Sequence, residues 1–167
     1  MAVDATCCLG GPLSHVLAEA NRGRAVRQLR RVTVPGGPVV VSVMGLLGAI
    51  QLYLITGNSL EALPDLLEHG DYDSALLEPY GYENESTATH FFRREELRSL
   101  LARNGLNDVS TTGLEGLASV LHDERLRDRL ADVSDGEREA IERSVDLTSD
   151  ESAVADLSIH MLAVGEA

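Results

Sequence analysis

Apolar residues in the first quarter of the chain gather in two dense runs. Ala2 to Leu9 is apolar except at Asp4 and Thr6 and runs straight into the bend Gly10-Gly11-Pro12. Val39 to Met44 is a β-branched run broken only by Ser42. Runs of this kind predict strands buried on both faces, as in a parallel sheet. Between them, Leu17 to Val32 sets Ala18, Ala25, Val26, Leu29 and Val32 near helical spacing in a polar background, which predicts a helix. Pro35-Gly36-Gly37-Pro38 then forms a turn that no helix crosses. Strand, helix, tight turn, strand predicts a right-handed parallel crossover.

From Gly45 to Thr89 the pattern loosens. Helices are predicted at Leu46 to Ile55 and Leu60 to Glu68, followed by a polar stretch dotted with Tyr72, Tyr80 and Tyr82. A connection this long predicts a lid or substrate-binding insertion over 45–89. Regular structure resumes in a helix from Arg94 to Asn104, marked by Leu97, Leu100 and Leu101 and stopped at Asn104-Gly105. A short strand follows at Val109 to Thr112, then a glycine-flanked segment at Gly113 to Leu121 and one or two charged helices over His122 to Leu147. A last strand is expected within Leu157 to Val164, which makes 113–156 a helical insertion. Nothing reads as a repeat, a low-complexity tract or a linker, so a single domain over 1–167 is expected.

A parallel strand needs neighbours reached by a crossover, and nothing precedes the first run. It is therefore expected to be an internal strand whose usual upstream partners are absent from this chain. An exposed apolar edge invites pairing, so the expected partner is a copy of the chain or a separate amino-terminal chain.

Composition narrows the picture. The 167 residues are 44% hydrophobic, enough for one core. Against 27 acidic residues stand 14 basic ones, all arginine, for a net charge of −13. Dense carboxylates without lysine are expected of a protein from a salt-loaded, halophilic cytoplasm; the plainer alternative is an ordinary acidic protein short of lysine by chance. The balance argues against nucleic acid, whose phosphates call for clustered basic residues. Arg22, Arg24, Arg27, Arg30 and Arg31 do cluster, but at the spacing of one solvated helix face.

Cys7 and Cys8, adjacent in a strand, point to opposite faces and cannot readily bridge; they read as small buried hydrophobes in a reducing cytosol. No signal-type segment or membrane-length apolar run occurs, and a cytoplasmic location is expected. The histidines at 15, 69, 90, 122 and 160 lack metal-ligand spacing, so no metal is expected. A Gly-x-Ser-x-Gly elbow and a lysine-ending phosphate loop are both absent.

Three segments carry a resemblance. Asp4 to His15 resembles the fourth strand and following loop of the class I S-adenosylmethionine-dependent methyltransferases. Leu29-Arg30-Arg31-Val32-Thr33-Val34-Pro35-Gly36-Gly37 resembles the end of their next helix and the turn into strand five. Thr89-His90-Phe91-Phe92-Arg93-Arg94-Glu95-Glu96-Leu97, with Gly105-Leu106 and Val109 to Thr112 beyond it, resembles the approach to the final strand pair. In order and spacing they cover nearly the whole chain and match the second half of that fold, strands four to seven.

The resemblance implies an α/β, Rossmann-like sheet, mostly parallel, with Ser158 to Val164 as an antiparallel strand inserted beside the fifth. It implies S-adenosylmethionine as cofactor. Cys8, Leu9, Gly10, Gly11 and Pro12 would lie beside its methionine part and methyl group, and His15 would orient substrate, accept a proton, or serve only as a cap or packed side chain. Met44 and Gly45 would face the same crevice. Tyr53, His90, Phe91 and Glu115 are candidates for the acceptor pocket, with Phe91 and Phe92 alternatively core residues. Methyl transfer asks mainly for alignment and exclusion of water, so no catalytic acid or base is assigned.

The family's glycine-rich turn after its first strand, and the acidic residue that ends its second and holds the ribose, have no counterpart here. Gly10-Gly11, Gly45 to Gly48 and Gly113 to Gly116 do not replace them. Two functions are therefore expected: a truncated methyltransferase, or a non-catalytic remnant or interaction module that oligomerises or pairs with an amino-terminal partner.

Overall fold

In the computed structural model, which describes residues 2–83, 87–122, 128 and 131–167, the chain forms a mixed α/β structure. Its elements are β1 (Thr6–Cys8), α1 (Glu19–Val32), β2 (Pro38–Met44), α2 (Leu46–Thr56), α3 (Leu63–His69), β3 (Asp71–Tyr72), α4 (Ser74–Leu77), β4 (Thr89–His90), α5 (Arg94–Arg103), β5 (Asn107–Gly113), α6 (Asp135–Thr148), α7 (Ser152–Leu157) and β6 (His160–Glu166). The main sheet has the order β1-β2-β6-β5, and β3 and β4 form a separate antiparallel pair. β1 and β2 run parallel, while β6 lies antiparallel to both β2 and β5.

The covered face of the sheet explains the β-branched run. Val39, Val41 and Val43 alternate along β2 at 0% exposure and pack with Val26 of α1, Leu97, Leu100 and Leu101 of α5, and Met161 and Ala163 of β6. Each such valine contributes about 1.5–3 kcal/mol through burial. A second cluster joins Leu46, Ala49 and Ile50 of α2 to Leu63, Leu66 and Phe91. α2 starts hard against the chain entering β6: a Cβ on Gly45 would lie 2.2 Å from the Ser158 carbonyl oxygen. Only glycine fits there.

Several expectations need correction. The first strand spans three residues rather than Ala2 to Leu9, and it is not buried: Cys7 is exposed and Leu9 is 54% exposed. β1 is the edge of the sheet, so an apolar run that suits a doubly covered strand meets cover on one side only. Val3 makes an isolated parallel bridge to Thr33, and the Thr6 and Thr33 hydroxyls lie 2.6 Å apart.

Arg22 does not belong to a solvated face either. It is 5% exposed, its guanidinium donates to the Val16 and Leu17 carbonyls at 3.1 and 2.5 Å, and those two residues consequently stay outside the helix. At the far end, Ser152 to Leu157 is helix α7, and the last strand starts at His160 rather than within Leu157 to Ser158. The charged helices expected over His122 to Leu147 lie partly outside the described residues; α6 covers Asp135 to Thr148.

Candidate functional site

The carboxyl ends of β1 and β2 meet under one loop. Beyond Cys8 the chain turns through Gly10 and Gly11, at φ 84° and 76°, a left-handed region where a side chain is strained. It then makes a single short turn from Pro12 to His15. Two serine hydroxyls hold the loop to β2. Ser42 Oγ accepts the Gly10 and Gly11 amides at 2.9 and 3.4 Å, and Ser14 Oγ accepts the Met44 amide at 2.9 Å. Neither serine was singled out from sequence, although Ser42, the one polar interruption in a strand otherwise apolar throughout, was a readable signal.

Leu9, Gly10, Pro12 and His15 are exposed along this loop and Gly11 is buried against Met44. Cys8 turns its side chain into the covered core, where burial raises its thiol pKa, so only its backbone faces the loop. His15 places Nδ1 3.2 Å from the Ala88 carbonyl and 3.4 Å from the Thr89 hydroxyl. Gly45 donates to the Ile159 carbonyl at 2.7 Å, while the Phe92 amide donates to the Met44 carbonyl at 2.8 Å.

The remaining candidates divide between two other places. His90 is 4% exposed, with Nδ1 2.6 Å from Asp71 Oδ1 and Nε2 2.7 Å from Glu96 Oε1. Satisfying both contacts takes two N–H donors. Its ring stands edge-on to Phe92 at 4.6 Å, and the Arg22 guanidinium lies 5.5 Å from the Phe92 centroid and 3.8 Å from Glu96. Burial, the largest influence on Glu96, pushes its carboxyl up. The hydrogen bond and charge of His90, the Arg93 amide and Arg22 outweigh it and hold the group below its usual range.

Phe91 is 5% exposed and meets Tyr53 edge-on at 6.3 Å, while Tyr53 stacks on Tyr72 at 5.1 Å. Burial drives the Tyr53 phenol pKa up. His90, Phe91 and Tyr53 thus sit in packed surroundings and not along the loop.

Glu115 lies at the same carboxyl end of the sheet, beyond β5. One carboxylate oxygen accepts the His160 amide at 2.8 Å and the other bonds His160 Nδ1. Burial again pushes Glu115 up, and the His160 hydrogen bonds outweigh it and bring the carboxyl down. The same pair, chiefly through the hydrogen bond from Glu115, raises His160. His160 is the cross-strand partner of Met44, so its half-exposed ring stands beside Met44 on the same face of the sheet. Sequence reading missed the pair because its members lie 45 positions apart.

The loop presents backbone and small side chains to solvent at Leu9, Gly10 and Pro12. The space where a Gly10 Cβ would stand is open, with nothing within 4 Å. Neither Cys8 to His15 nor Met44-Gly45 includes a carboxylate that could take ribose hydroxyls. The loop thus lacks an acidic partner of the kind that would hold the ribose of S-adenosylmethionine. Among the described residues, no group of three or more His, Cys, Asp and Glu side chains could hold a metal ion. Nor is any described helix long and apolar enough to cross a membrane.

No family profile and no curated protein matches the sequence. Solved structures do. A SAM-dependent methyltransferase from Methanosarcina mazei aligns over 99% of this chain at 15% identity with a TM-score of 0.53. The phosphoethanolamine N-methyltransferase 2 of Haemonchus contortus, solved with S-adenosyl-L-methionine, aligns over 98% at 12% identity and a TM-score of 0.43. The chain covers 59% of the first protein and 33% of the second. With the antiparallel β6 set between β2 and β5, the likeness to the first shows the fold: a Rossmann-like sheet of the class I methyltransferase type.

Proposed function

We propose that this chain is methyltransferase-like in function and that its crevice receives the methionine end of S-adenosylmethionine. The observation that carries the reading is the glycine loop stitched by Ser42 and Ser14 over the carboxyl end of β2, in a sheet of this strand order. Ligands of open α/β sheets bind at the carboxyl ends of the strands.

When bound, that cofactor supplies a methyl group already activated on a sulfonium. The chain's own work is to align and to exclude water. Leu9 to Pro12 offers backbone and a small apolar surface, Met44 floors the crevice, and His15 and the Glu115–His160 pair border the acceptor side. The lysine-free, acidic composition supports a salt-rich cytoplasm as the working environment.

A second reading, a methyltransferase-like module without catalysis, is favoured by one observation: these 167 residues include neither the glycine-rich turn nor the ribose-holding acid expected of the family. Calorimetric titration with S-adenosylmethionine in concentrated KCl separates the two. Saturable binding, even at about millimolar affinity, would exclude the bare module, and absence of binding by the folded chain would exclude catalysis by this chain alone.

A further inference from the structure

Charge is spread very unevenly along the chain. α1 and α5 together carry eight of the fourteen arginines against three acidic residues, a net +5, whereas everything outside them comes to −18. Most of these arginines are solvated, as charged helix faces usually are. Three of them, however, border one cleft. It lies between α1 and the end of α5, encloses about 510 Å³, and is lined by Arg24 and Arg27 on one side and by Arg103 and Asn104 on the other. The buried Gly23 and Leu100 form its floor. A volume of this size is that of a small-molecule site. None of its lining residues belongs to the Cys8–His15 loop, to Met44-Gly45 or to the Glu115–His160 pair.

The guanidiniums are held to different degrees. Asn104, which ends α5, donates from Nδ2 to the Leu100 carbonyl at 2.7 Å and accepts Arg27 Nη1 on Oδ1. Gly23 makes room for this contact: a Cβ there would lie 3.0 Å from Asn104 Oδ1 and 3.3 Å from Arg27 Nη1. Glycine inside a helix costs about 0.5–1 kcal/mol relative to alanine, and here the space it leaves admits an amide that aims a guanidinium. The other N–H groups of Arg27 have no partner among the described residues, and neither does any of Arg24, nearly one turn earlier. Arg103 donates to the Ser99 carbonyl at 3.3 Å and pairs with Glu19 at 3.2 Å. Both members of that pair are more than 60% exposed, so solvent screens their attraction. Three guanidiniums therefore face a single carboxylate, and the cleft stays positive.

We propose that this cleft binds a small molecule carrying a doubly charged oxyanion, a phosphate monoester or a dicarboxylate. This goes beyond the functional reading and does not depend on it. Guanidinium is the side chain suited to such a group, because its planar fork sets two parallel N–H donors against one oxyanion. The charge also matches: a dianion offsets what Glu19 leaves uncompensated among Arg24, Arg27 and Arg103. Size is limited by the surroundings. A polyanion longer than the cleft, such as a nucleic-acid strand, would run off the two helices onto the acidic remainder of the chain.

Amide chemical-shift titration of the full chain with glycerol 3-phosphate and, separately, with succinate tests this, at the lowest KCl concentration that keeps the chain folded by circular dichroism. At least one of the two should saturate at about millimolar affinity, with shifts at Gly23, Arg24, Arg27 and Asn104; the tighter of them identifies the kind of oxyanion. Arg24→Ala and Arg103→Ala should each weaken that binding about fivefold or more. Glu19→Gln should strengthen it about threefold by removing the competing carboxylate. All three replace exposed side chains, so the fold is retained. Failure of both ligands to saturate by tens of millimolar, shifts confined to other residues, equal shifts from chloride at matched ionic strength, or an affinity indifferent to Arg24→Ala and Arg103→Ala overturns the proposal. Tighter binding of a DNA oligonucleotide at the same residues overturns it as well.

Discussion

One strand of this sheet lives in two environments. Val39, Val41 and Val43 of β2 are sealed beneath α1 and α5 at 0% exposure, whereas Val40, between them, faces a side without a helix among the described residues. The chemistry of the run Val39-Val40-Val41 is uniform, so its composition cannot distinguish these environments. What differs is the layer above each face. A charged side chain is therefore intolerable at one position and merely inconvenient at the next.

The largest expected effect breaks the comparison outright. Val41→Asp puts a carboxylate into the sealed core without a partner and should abolish folding, whereas Val40→Asp should cost under about 1 kcal/mol in denaturant melts of the monomer. Comparable losses would mean that the second face is covered too. Gly45→Ala comes next. Its methyl must displace the Ser158 carbonyl, so urea unfolding should show a loss of about 2–3 kcal/mol.

His90→Gln should cost about 1–2 kcal/mol, because it leaves Asp71 and Glu96 facing a weaker partner; both carboxylates are more than a third exposed and partly rescued by water. Ser42→Ala removes the acceptor shared by two loop amides and should cost about 1 kcal/mol. Its clearest sign is faster amide hydrogen exchange at Gly10 and Gly11.

The smallest effects are in pH dependence. Glu96 and Glu115 have folded values below the ordinary 4.5, so their contribution is complete above that value and disappears as pH falls through the folded ones. His160, raised above 6.5, contributes fully below that value and its contribution is lost as pH climbs through the folded one. Glu115→Gln should flatten both limbs in thermal melts while leaving the Glu96 acid limb in place.

How much of this was legible beforehand follows the range of the interactions. The crossover from β1 to β2 through a polar helix, the stop at Asn104-Gly105 and an antiparallel last strand were readable, because local spacing or resemblance to a known order carries them. The exposure of β1 was not: an apolar run encodes a wish for cover, and whether cover exists depends on other segments. Arg22 misled for a related reason. Its spacing is that of a solvated face, yet its guanidinium turns inward to carbonyls five and six residues back and to Phe92.

At the candidate site the loop glycines and Met44 could be named from resemblance. The two serines that fix their geometry, and the alliance of Glu115 with His160, arise only once β2 and β6 pair in register.

We propose that the Cys8–His15 loop over β2 receives the methionine end of S-adenosylmethionine. Amide chemical-shift mapping during a cofactor titration in concentrated KCl tests it directly. With nucleoside-side contacts lacking, saturable binding at about millimolar affinity is expected, with shifts concentrated at Leu9, Gly10, Gly11 and Met44 and lost in Gly10→Val. Saturation without shifts at those residues, or no shifts anywhere at tens of millimolar cofactor, would contradict the account.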